Sequence, residues 1–185
     1  AEYYCYGVRL REVRSMARKM FDCMRFLSAV DSILRSLVPS SRRHNRYCQP
    51  FEKMARIGGV CPRTFAEVYS GIIDRYCGIN PESLKDHGTI ENRYHPGTTN
   101  PDKIIHWARM WARCVDIAMT SAAGEEADAF GNVVSSKAKI DMFLALLALP
   151  ADTEEYLRGR LKAFAASDAN NVKTYITNKK AVCAA

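Results

Sequence analysis

His44 and Cys48 stand four residues apart, so on a helix they share one face, and with Cys61 they could bind a metal such as zinc. No fourth ligand follows at a standard spacing. The simpler expectation is a partly exposed histidine beside a buried thiol, with no metal. A cysteine–histidine nucleophile pair meets in space rather than in sequence. With seven cysteines and four histidines the sequence singles out no such pair, which leaves an enzyme built on a Cys or His such as His44 as the weakest reading. There is no GxxxxGK[ST] or GxGxxG loop to cradle phosphate, and no HExxH. The acidic pairs Glu125–Glu126 and Glu154–Glu155 fall at expected helix starts, where carboxylates offset the positive end of the helix dipole. The expectation is therefore no catalytic residue and no cofactor.

The chemistry that remains is recognition. The run Arg42-Arg43-His44-Asn45-Arg46-Tyr47 combines forked cations with an aromatic ring. Arginine forks onto phosphate and tyrosine stacks on a base. The same two side chains are frequent anchors at protein interfaces. No comparable basic cluster follows downstream, which favours protein over RNA. Arg42, Arg43, Arg46 and Tyr47 are the partner-binding candidates. Trp107 and Trp111, four apart on one helix, read first as core and only second as a docking pair.

The elements that position these residues read as helices. From Val8 to Val38, Val13, Met16/Ala17, Met20, Met24, Leu27, Ile33/Leu34 and Leu37 recur at three- and four-residue steps, a single helical stripe. Arg9, Arg11, Arg14, Arg18 and Arg25 fall off it and give a basic outer face. So long a helix can also break near Phe26–Ser28. Short helices are expected over 51–57, ended by Gly58-Gly59, and over 63–77, closed by Gly78. Asn80 is placed as the cap of a short helix at Pro81. Residues 87–100 carry no stripe and read as a functional or partner-bound loop. Asn100-Pro101-Asp102 starts the next helix, with Ile104/Ile105, Ala108, Trp111/Ala112, Val115, Ala118/Met119 and Ala122 as its apolar face up to Gly124. An acidic helix over Glu125–Phe130 follows, then one capped by Ser135 or Ser136 and reaching Leu149. Asp152 and Glu155 match a capping box for a helix carrying Tyr156, Leu157, Leu161 and Phe164. A last amphipathic segment holds Val172, Tyr175, Ile176 and Val182.

The result is one all-α domain over residues 1–185, with about eight helices and no convincing strand. It reads as stacked helical hairpins, a degenerate repeat or an irregular bundle, since no strict 33–35-residue period is present. Its apolar fraction of 48% and charged fraction of 25% suit a folded chain rather than a disordered one. No apolar run is long enough to span a membrane. Of the net charge of +7, residues 1–47 contribute most, with ten Arg/Lys against four Asp/Glu. That places a basic face in the first quarter, solvated or turned to an acidic partner, nucleic acid or membrane surface. The odd number of cysteines without CxxC spacing points to reduced thiols in a reducing compartment. The start at Ala1 without methionine fits a processed N-terminus, among other origins.

Taken in order, YYCYGVRLREVRSMARKMFDCMRFLSAVDSILRS, SRRHNRY, CPRTFAEVYSGIIDRYCGIN and LALLALPADTEEYLRGRL resemble one family. It is the extra subunit of the mitochondrial F1-ATPase of euglenozoan protists such as trypanosomes and euglenids. The resemblance implies a helix stack like pentatricopeptide repeats. It also implies a non-catalytic structural subunit on the outer face of the F1 α subunit, on the matrix side and peripheral to the inner membrane. A cleaved mitochondrial presequence would then explain the first residue, and direct nucleotide contact is not implied. The resemblance transfers no contact residues, having no short site motif. The alternative is an RNA-binding helical-repeat protein of an organelle.

Overall fold

The computed structural model describes residues 4–5, 8–43, 45–51, 76–80, 82–83 and 87–182, with side chains described from Ser15 to Asp168 within those ranges. The chain is mostly helical. Six helices occur among the described residues, not the eight expected: α1 Leu10–Ser36, α2 Ser40–Arg43, α3 Pro101–Ala118, α4 Ala123–Asn132, α5 Ser136–Leu147 and α6 Ala151–Val182. The helices expected over 51–57 and 63–77, with Phe65 among their core candidates, fall almost wholly outside the described residues. So does the start of the one expected at Pro81. Two short antiparallel ladders correct the expectation of no strand. Strand β1 (Tyr4–Cys5) pairs with β2 (Val8–Arg9), and β3 (Ile79–Asn80) pairs with β4 (Glu91–Asn92).

Helix α1 runs unbroken through Phe26–Ser28 because that stretch is wrapped by other elements. Between Phe21 and Ser36 its buried positions include Phe21, Cys23, Met24, Phe26, Leu27, Val30, Ile33 and Leu34, and Leu37 and Val38 just past its end are buried too. Each large apolar side chain fully withdrawn from water contributes about 1.5–3 kcal/mol, enough to outweigh the weak helix propensity of Phe, Val and Ile here. Helix α1 touches all five other helices, and α4 lies along it most extensively. Gly124 was expected to end the helix before it. It is instead the second residue of α4, and a Cβ there would sit 3.0 Å from Asp22 Oδ1 on α1. The Asp22 carboxylate comes that close to α4 because the glycine has no side chain. Arg25 of α1 also reaches Asp128 of α4.

The expected caps hold at two helices. Asn100 Oδ1 accepts from Lys103 N at 3.1 Å with Pro101 in the first turn of α3, and Ser135 Oγ accepts from Ala138 N at 3.4 Å at α5. Helix α4 has no capping side chain, and Glu125 and Glu126 in its first turn face its positive end instead. The capping box at Asp152 does not form. Helix α6 begins two residues earlier, Pro150 O takes the first amide donors, and Asp152 pairs with Arg109 at 2.9 Å. Helix α6 then continues to Val182 as one helix rather than two, with no proline or glycine after Gly159 to stop it.

Helix α3 buries a different face from the expected one. Trp107, Met110, Cys114, Ile117 and Ala118 are in the core, whereas Ile104, Ile105, Ala108, Ala112 and Met119 are exposed. The helix has apolar residues around more than half of its circumference, so periodicity alone left the register open by one residue. The bulk of Trp107 and Met110 settles it. Trp111 is half-buried and packs against the core, as does Leu161, while Leu157 is fully buried and Phe164 half-buried.

Candidate interaction surface

The basic-aromatic run leads into an extended unit laid across the end of α1. Gln49 and Cys77 form a parallel bridge, with Gln49 N donating to Tyr76 O and Gly78 N to Gln49 O, both at 2.9 Å. Arg93 N donates to Gly78 O at 2.7 Å, which adds the β4 segment alongside β3. Extended backbone alternates its side chains between two faces. Cys77, Ile79 and Tyr94, together with Cys48 and Phe51, go inward, and Tyr47, Gln49 and Tyr76 line the outer side.

The inner face is held by buried polar groups. The fully buried Tyr94 donates its hydroxyl to Asp31 Oδ1, and Asp31 Oδ2 accepts from Phe51 N at 3.1 Å. Ser28 Oγ donates to Phe51 O at 3.0 Å. Burial, then the adjacent Asp31 carboxylate, pushes the Tyr94 phenol far above its ordinary pKa of 10.0, so it stays a donor. A Cβ on Gly78 would lie 2.0 Å from a Tyr94 ring carbon. Gly78 is thus a seat for that ring, not the end of a helix: Tyr76 is in a turn and Cys77 in the bridge. Residues 87–100, read as a functional or partner-bound loop, are largely irregular apart from β4, and the buried Tyr94 anchors them to α1. The polar residues around Tyr94 hid it.

The four predicted partner residues divide. Arg43 turns inward: it forks onto Asp168 of α6 at 2.6 and 2.8 Å, and its carbonyl accepts from Arg35 Nη2 at 3.1 Å. Arg42 lies with Nη1 3.9 Å from Cys48 Sγ. Arg46 and Tyr47 face outward. Arg46 Nη2 donates to the Tyr47 hydroxyl at 2.6 Å, and its guanidinium sits 4.7 Å from the centre of that ring. The turn before them is fixed by Asn45 Oδ1, which accepts from Tyr47 N at 2.8 Å. The bridge brings Tyr76 to Tyr47, with ring centres 5.5 Å apart and planes at 58°. Arg46, Tyr47, Gln49 and Tyr76 line an open cleft of about 360 Å³. Tyr47 is 46% and Tyr76 39% exposed. Sequence reasoning missed Gln49 and Tyr76, because only the bridge between distant segments places them here.

The expected basic face of α1 is partly neutralised. Arg18 pairs with Asp22 at 2.8 Å and Arg25 with Asp128; the side chains of Arg9, Arg11 and Arg14 lie outside the described residues. A second groove, about 760 Å³, runs along Arg25, Ala29 and Ser32 between α1, α4 and Lys139 of α5. Where α3 meets α6, His106 stacks on Tyr156 at 4.4 Å and places Nδ1 3.0 Å from the fully buried Thr153 hydroxyl. Thr153 is buried at this junction, whereas His106 and Tyr156 stay partly exposed. Cys23, Cys48, Cys77 and Cys114 are free thiols and buried, and burial pushes Cys23 up to about 12 and Cys114 higher still. Of the metal trio considered, His44 and Cys61 lie outside the described residues, while Cys48 is buried with Sγ 3.2 Å from Arg93 O. No three His, Cys, Asp or Glu converge on a metal position among the described residues, and no helix is long and apolar enough to cross a membrane among them.

No protein-family model, curated protein or solved structure matches this chain.

Proposed function

We propose that this chain is a non-catalytic structural subunit of mitochondrial F1-ATPase, docked on the outer face of the α subunit on the matrix side of the inner membrane. The reading is carried by the four ordered segments that resemble the euglenozoan extra subunit and that together span most of the chain. It is supported by a helical body that leaves cationic and aromatic groups, Arg46, Tyr47 and Tyr76, on its outside. A docking subunit needs such a rigid outer contour and no reacting group. Within this reading the helices are an irregular bundle around α1 rather than a regular repeat stack, because α1 meets every other described helix. The test is co-purification: the native protein travels stoichiometrically with F1 from mitochondrial extract in moderate salt. Recovery only as a free monomer, away from F1, overturns the proposal.

The second reading, an organellar RNA-binding protein, draws on the same exposed tyrosines, since bases stack on aromatic rings beside arginine. RNA retained at low ionic strength and lost steeply as salt rises would favour it, because phosphate contacts release counterions.

A further inference from the structure

We infer that the cleft formed by Arg46, Tyr47, Gln49 and Tyr76 is a recognition site for a carboxylate-bearing segment of a protein partner. The inference rests on the docking-subunit reading only for who the partner is; the face and its chemistry come from the geometry.

Among its described lining residues the cleft has one open charge. Arg43 is matched by Asp168, Arg25 by Asp128, and Arg93 by Glu91 at 2.8 Å. Arg46 has no carboxylate partner among the described residues; its contacts are the hydroxyl and ring of Tyr47. One terminal nitrogen is thereby engaged and the planar group is held in place, which leaves its other N–H groups to donate. A carboxylate is the acceptor that matches a guanidinium fork. Because the guanidinium is already fixed on Tyr47, pairing costs less side-chain entropy than with a free arginine.

The walls specify the rest of the ligand. Tyr47 and Tyr76, tilted against each other, offer two partly exposed rings on which an apolar side chain flanking the carboxylate can lie. Gln49 holds the floor: its Nε2 donates to Arg46 O at 3.3 Å and its backbone is locked in the bridge to Cys77. The site is therefore small and, among its described lining residues, carries one charge. Tight non-specific binding of RNA requires many phosphate contacts in a row, whereas one fixed guanidinium between aromatic rings is matched by one carboxylate. The charge count favours a protein segment over a nucleic acid.

The test titrates the full chain with three probes while following the ring resonances of Tyr47 and Tyr76. The probes are a short peptide with one glutamate between leucines, the same peptide with glutamine, and a single-stranded oligouridylate. The glutamate peptide is expected to shift both rings saturably and to bind about tenfold more tightly than its glutamine counterpart. Arg46→Gln should erase that difference, and Tyr47→Ser should abolish the shift at Tyr76, with thermal unfolding of both variants unchanged. Equal binding of the two peptides, no shift with either, or a ring shift produced by the oligouridylate instead, overturns the inference. In parallel, Arg46→Glu is compared with the native chain for recovery with F1. Loss of recovery only in the variant supports the cleft as the docking face. Recovery of both overturns that role while leaving the F1 reading intact. Recovery of neither overturns the F1 reading, and the peptide titration still judges the cleft.

Discussion

Tyr94 and Tyr47 belong to the same small extended unit but sit on its opposite faces. Tyr94 is fully buried, and its hydroxyl donates to a carboxylate of the central helix. Tyr47 is nearly half exposed, and its hydroxyl accepts from an arginine on the surface. The first bond replaces water that the Asp31 carboxylate has lost, so breaking it leaves a buried polar group unmatched. The second competes with water throughout, so it fixes a shape more than it stabilises the fold. The two faces teach that the inner tyrosine holds the unit onto α1 and thereby positions the outer one.

The comparison breaks most severely at the inner ring. Tyr94→Ala is expected to cost about 3–5 kcal/mol, as for other large buried aromatics, and Tyr94→Phe about 1–3 kcal/mol for the lost bond to Asp31. Urea unfolding of both variants measures the split between packing and hydrogen bonding. A Tyr94→Phe variant as stable as the native chain would mean the buried bond contributes nothing. Next comes Gly78→Ala, whose new methyl would overlap the Tyr94 ring. It should destabilise by about 1–3 kcal/mol, the usual range for overpacking. The same change made in a Tyr94→Ala background should cost much less, which a double-mutant cycle reads directly.

A smaller effect lies at the corner between the two faces. Arg43→Ala removes the fork onto Asp168 and should cost about 1 kcal/mol, because both groups keep partial contact with water. Faster amide exchange in α6 near Asp168, with the Tyr47 ring environment unchanged, would separate this inward arginine from Arg46. The mildest probe is pH. Burial, then the charge of Arg160, holds the half-buried His95 below its ordinary pKa of 6.5. Between that depressed value and 6.5 the unfolded chain binds the extra proton, so stability rises with pH there and falls on acidification. His95→Gln should flatten the decline in melting temperature below about pH 6.5. An unchanged slope would show that His95 does not contribute to it.

Much of the helical frame was legible in the residues themselves. Asn100-Pro101 and Ser135 are local signals acting on their own amides, and the stripe of α1 was read correctly at Ala17, Met24, Leu27, Leu34 and Leu37. What failed was contact between segments far apart in sequence. The apolar residues of α3 fit two faces, and only its neighbours chose between them. Gly78 carried a helix-end signal while its real constraint was a ring sixteen residues later. In the basic-aromatic run only the surface placement of Arg46 and Tyr47 was legible; Arg43 found a carboxylate on the last helix, a pairing no local pattern announces.

By itself the sequence determined a helical chain, its helix starts, and the presence of a cationic-aromatic run, because propensity, capping and charge act over a few neighbouring residues. The tertiary structure alone decided which arginine faces outward, which tyrosine is buried, and which side of α3 meets water. Those choices depend on burial and on partners brought together from remote parts of the chain, where desolvation rewards one arrangement and penalises the others.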